Sequence, residues 1–110
     1  DVARAAVSVL LDPAAHAGRT YELTGPTAIT LTEAAATISA VTGRPTTFHD
    51  ETVEEAYVSR RRWEAPDWQY DAWVSTYTAI RSGELERVSD DVRALTGREP
   101  LDLAAVLRAG

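Results

Sequence analysis

RTYELTGPTAITLTEAAATISAVTGRPTTFH, residues 19–49, is the stretch on which the fold class turns. Arg19-Thr20-Tyr21-Glu22-Leu23-Thr24 is short, β-rich and alternating, with Tyr21 and Leu23 on one face. Gly25-Pro26 ends it, so the pattern predicts a strand. Thr30 followed three residues on by Glu33 is a capping box, in which each side chain satisfies a backbone N–H at a helix start. Leu31, Ala34, Ala35, Ile38 and Val41 then form an apolar stripe at helical spacing, and Gly43 supplies a left-handed cap. Pro45-Thr46-Thr47-Phe48-His49 is a second extended segment. Strand, helix, strand is a crossover, which implies parallel strands and a right-handed connection.

Working outward, Val2, Ala5, Ala6, Val9 and Leu10 recur at helical spacing, predicting a helix over 2–12 that Asp12-Pro13 stops. A second capping box, Thr52 with Glu55, opens a helix to Trp63 whose inner face holds Val53, Ala56 and Tyr57. Pro66-Asp67 starts another, with Tyr70, Trp73, Val74, Tyr77 and Ile80 in an aromatic stripe and Gly83 closing it. Ser89 caps a short helix through Leu95, ended by Gly97, and Asp102 caps a last one carrying Leu103, Val106 and Leu107. The expected class is α/β, predominantly helical, with about five helices and two short parallel strands. Val41-Thr42-Gly43-Arg44-Pro45 and Leu95-Thr96-Gly97-Arg98-Glu99-Pro100 look alike, but each is what a glycine cap followed by a proline stop requires. They imply no duplication.

The 110 residues suit one compact unit or part of one. Seventeen acidic against eleven basic side chains, all arginine, give a net charge of −6, which disfavours nucleic acid as a partner because phosphates would be repelled. No apolar run approaches the roughly 18 residues of a membrane span. Absence of cysteine removes disulfides, thiolate metal sites and cysteine nucleophiles, and fits a cytoplasmic location. Methionine is also absent, and Asp1 opens inside a helical pattern, so the chain reads as a piece of a longer protein.

Motifs for chemistry are sparse. The six glycines are isolated, so no glycine-rich turn can bring backbone N–H groups to a pyrophosphate, and without lysine there is no Walker loop. His16 and His49 lack metal-ligand spacing. Asp90-Asp91 fits the first turn of a helix, where a carboxylate meets the positive end of the dipole. Arg60-Arg61-Arg62 cannot share one helical face, and with Glu54, Glu55 and Glu64 nearby it reads as solvated surface. Tyr57 and Arg61 imitate a tyrosine-x-x-x-lysine pair with arginine in place of lysine, and carry no catalytic assignment. Tyr57, Trp63, Trp68, Trp73 and Tyr77 are the candidate substrate-binding residues, because large flat side chains wall pockets for flat ligands. Tyr70, Trp73 and Tyr77 read first as core packing, whereas Trp63 and Trp68, flanking the Pro66 turn, read as a pocket mouth or a subunit contact.

Asp1-Val2-Ala3-Arg4-Ala5-Ala6, Tyr21-Glu22-Leu23-Thr24-Gly25-Pro26, Leu31-Thr32-Glu33-Ala34-Ala35, Thr42-Gly43-Arg44-Pro45 and Thr96-Gly97-Arg98-Glu99-Pro100, in that order, resemble the C-terminal part of NmrA-like, atypical short-chain dehydrogenase/reductase proteins. Ala65-Pro66-Asp67-Trp68 and Ile80-Arg81-Ser82-Gly83-Glu84 extend the similarity over essentially the whole chain. The resemblance implies a Rossmann fold whose N-terminal half, not in this chain, binds NAD or NADP. Residues 1–110 would be the C-terminal substrate-side subdomain, with the strand at 20–24 joining the missing sheet and Gly25-Pro26 near the cleft mouth. It implies a small-molecule substrate, a quinone or related carbonyl, and assigns no catalytic, cofactor or metal residue to this chain. A non-catalytic redox sensor or a self-associating, homodimeric binding module is the alternative.

Overall fold

The computed structural model describes all 110 residues, which form seven helices and no strand. They divide into two compact units, one of residues 1–47 and 88–110, the other of residues 48–87. No helix is long and apolar enough to cross a membrane.

The first unit holds α1 (Val2–Leu11), α2 (Pro13–His16), α3 (Leu31–Thr42), α6 (Asp91–Thr96) and α7 (Leu103–Ala109). Asp12-Pro13 does break the first helix, yet it also starts α2: Asp12 Oδ1 accepts from Ala15 N at 3.3 Å and Pro13 sits at the first position, where its missing N–H costs nothing. Ala5 of α1 and Val92 of α6, each 1% exposed, are the most buried side chains of the unit, and they lie where these two helices pack. On α3, Ala35 is buried and Leu31, Ala34, Ile38 and Val41 are half-buried, the expected stripe, facing α7. Leu103 and Leu107 face inward from α7, whereas Val106 points to solvent, against expectation.

Local chemistry fixes the helix ends. Both halves of the Thr30–Glu33 box form, Thr30 N donating to Glu33 Oε2 at 2.7 Å and Glu33 N to Thr30 Oγ1 at 3.1 Å. Removing the Thr30 hydroxyl by Thr30→Ala is expected to lower stability by about 1 kcal/mol in chemical denaturation. Gly43 and Gly97 take φ of 70° and 68°, the left-handed conformation that only glycine adopts without a Cβ penalty. The threonine before each glycine then accepts from the arginine after it, Arg44 N to Thr42 Oγ1 at 3.2 Å and Arg98 N to Thr96 Oγ1 at 3.3 Å. The two similar phrases are one capping solution used twice.

The two expected strands are absent as strands. Residues 20–24 and 45–49 carry no ladder pairing, and side chains take up the backbone groups of Glu22 and Thr46. Glu22 N donates to Asp91 Oδ2 at 2.7 Å, Glu22 O accepts from Ser89 Oγ, and Thr24 Oγ1 accepts from Ser89 N at 3.0 Å. Ser89 therefore holds the extended segment; the residue before α6 is Asp90, which makes no side-chain cap bond, while Ser89 Oγ accepts from Asp91 N at 3.3 Å. In the other segment, Thr46 N donates to Ser39 Oγ at 2.8 Å and Thr46 O lies 3.0 Å from the same hydroxyl. One side chain thus replaces a sheet neighbour, since extended backbone needs partners but not strand partners. Ser39→Ala leaves both Thr46 groups unpaired and is expected to destabilise the unit by about 1–3 kcal/mol. Faster amide exchange at Thr46 is the direct readout, and unchanged exchange there would show that the hydroxyl carries no weight.

The second unit is α4 (Val53–Arg60) packed on α5 (Asp67–Arg81). Thr52 and Glu55 form the predicted box, with Thr52 N to Glu55 Oε2 at 2.8 Å and Glu55 N to Thr52 Oγ1 at 3.2 Å. Only Ala56 and Val74 are buried, and Val53, expected on the inner face, is exposed. Helix α4 stops at Arg60 rather than running to Trp63. Tyr70 is the reason: its hydroxyl donates to Trp63 O at 2.8 Å and accepts from Ala65 N at 3.2 Å, holding residues 63–65 in a turn.

Candidate functional site

The α4–α5 unit carries a cavity of about 610 Å³ lined by Glu51, Ser59, Arg60, Arg62, Trp63, Trp73 and Tyr77. Three of the five sequence candidates, Trp63, Trp73 and Tyr77, meet there. Tyr57 and Trp68 do not line it: Tyr57 bridges α4 to α5, its hydroxyl donating to Asp71 Oδ1 at 2.7 Å, and Trp68 lies on the exposed first turn of α5.

Helical spacing explains the aromatic wall. Trp73 and Tyr77 are four residues apart on α5 and so face the same way, while the turn that follows α4 returns Trp63 to them. Trp73 is the hub, edge-on to Trp63 (centroids 6.3 Å apart, 69° between planes) and to Tyr70 (5.8 Å, 68°). Such edge-to-face contacts match a ring's positive rim to its neighbour's negative face.

The polar wall was not legible in the sequence. Arg60, at the end of α4, reaches with one Nη1 to Glu51 Oε2 at 2.9 Å and Ala56 O at 2.8 Å, and its guanidinium lies 5.0 Å from the Tyr77 centroid. Arg81 ties the same loop down through an ion pair with Asp50 and a hydrogen bond to Glu51 O at 3.1 Å. The early end of α4 releases Arg62 from the helix, and its guanidinium carbon sits 3.9 Å over the Trp63 ring. The arginine run therefore splits: Arg60 and Arg62 line the cavity and Arg61 does not.

Hydrogen bonding from Arg60, and then from Ser59, holds the Glu51 carboxyl below the ordinary carboxylate range. The bonds from Thr30 do the same for Glu33. A depressed folded-state pKa contributes stability that is present above the unfolded value, about 4.3 for Glu, and is lost as pH falls through the folded value. The denaturation midpoint is expected to drop on acidification below about pH 4, and to drop less in a Glu33→Gln, Glu51→Gln double variant. An identical pH profile for the double variant would remove these two groups as the cause.

Tyr57 runs the opposite way. Its hydrogen bond to Asp71 raises its pKa, which is the reverse of what an activated catalytic tyrosine requires, and its partner is Asp71 and not Arg61. His16 packs edge-on against Tyr21 with Nδ1 2.6 Å from the hydroxyl. Asp91 is spent on the Glu22 amide. No group of three or more His, Asp or Glu side chains is placed to hold a metal ion. The glycines of positive φ, Gly18, Gly43, Gly83 and Gly97, each follow a helix, whereas a dinucleotide-binding turn sets its glycines ahead of one.

Known proteins give this geometry a context. No family model matches the chain. It is 33% identical over 109 residues to the NAD(P)H azoreductase of Xenophilus azovorans, covering 99% of this chain and 38% of that protein. It is 36% identical over 98 residues to a (4-alkanoyl-5-oxo-2,5-dihydrofuran-3-yl)methyl phosphate reductase of Streptomyces griseus, covering 89% of this chain and 34% of the relative. Among solved structures, an NADPH-dependent quinone oxidoreductase from Escherichia coli superposes with a TM-score of 0.83 at 27% identity, covering 97% of this chain and 38% of the other. A nucleoside-diphosphate-sugar epimerase from Staphylococcus aureus, at TM-score 0.82 and 23% identity over 97% of this chain and 37% of its own, shares the fold. The chain thus spans little more than a third of the length of the relatives it matches. It is similar to NAD(P)H-dependent reductases and shares its fold with a reductase and an epimerase, corresponding to a C-terminal portion of a Rossmann-like fold.

Proposed function

We propose that this chain is the substrate-side part of a cytoplasmic NAD(P)H-dependent oxidoreductase of the NmrA-like kind that reduces quinones or related carbonyl compounds. The observation that carries the reading is the cavity walled by Trp63, Trp73 and Tyr77, whose volume of about 610 Å³ suits a small flat molecule. The azoreductase and the quinone oxidoreductase that the chain resembles support the class, since azo and quinone groups are both flat, conjugated electron acceptors. NAD(P)H bound to the complete protein would supply the hydride. The residues of this chain would position the acceptor. The reading leaves the dinucleotide's glycine-rich turn to the part of the complete protein outside these residues, which hold no such turn.

Helix α1 supports the same reading. Val2, Val7, Leu10 and Leu11 are exposed at 65%, 54%, 76% and 82%, although its other side packs on α6. A helix apolar on nearly every side is ordinarily buried, and we assign its cover to the Rossmann half of the complete protein. The same face also favours the second reading, a self-associating module in which another copy covers it.

The test is NADPH oxidation by the complete protein with a naphthoquinone as acceptor, together with Tyr77→Ala. Turnover whose KM for the quinone rises in the variant, with NADPH affinity unchanged, is the expected result. NADPH binding with no turnover across quinone and azo acceptors would replace the reductase with a sensor. No NADPH binding, with concentration-dependent dimers in light scattering, would favour self-association.

A further inference from the structure

We infer that the ligand of the α4–α5 cavity is a planar ring bearing a carboxylate or sulfonate, its ring held by Trp63, Trp73 and Tyr77 and its anion by Arg62. This rests on the reading of the cavity as a substrate site. Its two arginines are in different states. Arg60 is occupied: its Nη1 meets Glu51 Oε2 at 2.9 Å, Ala56 O at 2.8 Å and Ser59 Oγ at 3.0 Å, and its side chain is only 14% exposed. That pairing also cancels Glu51, the one carboxylate on the cavity wall, which would otherwise repel an anion.

Arg62 makes no hydrogen bond and no ion pair, and its only partner is the Trp63 ring 3.9 Å beneath the guanidinium carbon. With no hydrogen bond or ion pair made, its five N–H donors stay available to a ligand. Residues 48–87 carry nine acidic and five basic side chains, so an uncancelled cation at a cavity wall stands against the charge of its own unit. Glu64, two residues away, does not pair with it.

A forked anion matches these donors. A carboxylate or sulfonate offers two oxygens to two parallel N–H groups, whereas a ketone or simple quinone oxygen offers one neutral acceptor. The flat walls take the ring to which that anion is attached, and a bare inorganic anion would leave them without contact. The cavity therefore selects within flat acceptors by charge.

The test is calorimetric titration of the full protein with 2-naphthoate and with 2-acetonaphthone, a neutral molecule of nearly the same shape. The acid is expected to bind about tenfold more tightly, the increment of one charge-assisted contact at a partly exposed site. That preference is expected to vanish in Arg62→Gln, to survive in part in Arg62→Lys, which keeps the charge but not the fork, and to persist in Arg61→Gln. Equal affinity for the two probes in the unsubstituted protein would overturn the charge selection and leave the cavity as a site for neutral rings. Failure of both probes to bind would overturn the substrate-site reading and this inference together.

Discussion

Val92→Asp is expected to unfold the α1–α6 packing, with a loss of about 4–6 kcal/mol that takes most of the stability of an ordinary domain. Val92 is 1% exposed, and Ala5 opposite it is equally buried. Losing the valine side chain from the interior costs about 1.5–2 kcal/mol. Placing an unpaired carboxylate there costs several more, because no buried polar or charged side chain exists in the chain to receive it. One term opposes: position 92 is in the first turn of α6, where a carboxylate gains from the helix dipole, but that gain is under about 1 kcal/mol. Val92→Thr, nearly the same shape with a hydroxyl, is expected to lose about 1–3 kcal/mol. Chemical denaturation followed by circular dichroism measures both. A Val92→Asp midpoint within error of the unsubstituted protein would mean that Val92 and Ala5 do not form the core of this unit.

The sequence made the helices legible where their instructions are local. Thr30–Glu33, Thr52–Glu55, Gly43 and Gly97 act within one turn of chain, so a capping box or a left-handed glycine reads the same before and after folding. Asp102 is another, its Oδ1 accepting from Ala105 N at 2.7 Å. The extended segments were not legible as what they are, because β-rich alternation reports a preference for extended backbone and not the identity of its partner. For Glu22 that partner is the pair Ser89 and Asp91, and for Thr46 it is Ser39. The cavity divides in the same way. Its aromatic side followed from the spacing of Trp73 and Tyr77, but its arginines depended on where α4 ends, which a hydroxyl on the next helix decides.

Trp73→Ala is the decisive substitution for the second unit. Apart from Ala56 and Val74, both small, no side chain between α4 and α5 is fully buried, so the aromatic cluster must supply much of the apolar burial that holds them together. Trp73 touches both Trp63 and Tyr70 edge-on. Truncating a buried tryptophan costs about 3–5 kcal/mol, and Trp73 is half-buried, so its share is about 2–3 kcal/mol, including the two ring contacts at about 0.5–1.5 kcal/mol each. Alanine's better helix propensity returns well under 1 kcal/mol to α5 and does not offset this. Amide exchange across residues 53–60 and 67–81 is expected to accelerate, and Trp73→Phe, which keeps an edge for its neighbours, is expected to retain most of the protection. The same loss removes one wall of the cavity, so flat ligands should bind more weakly to Trp73→Ala even where the helices remain folded. Unchanged exchange together with unchanged ligand affinity would show that the cluster neither holds the unit together nor shapes its site.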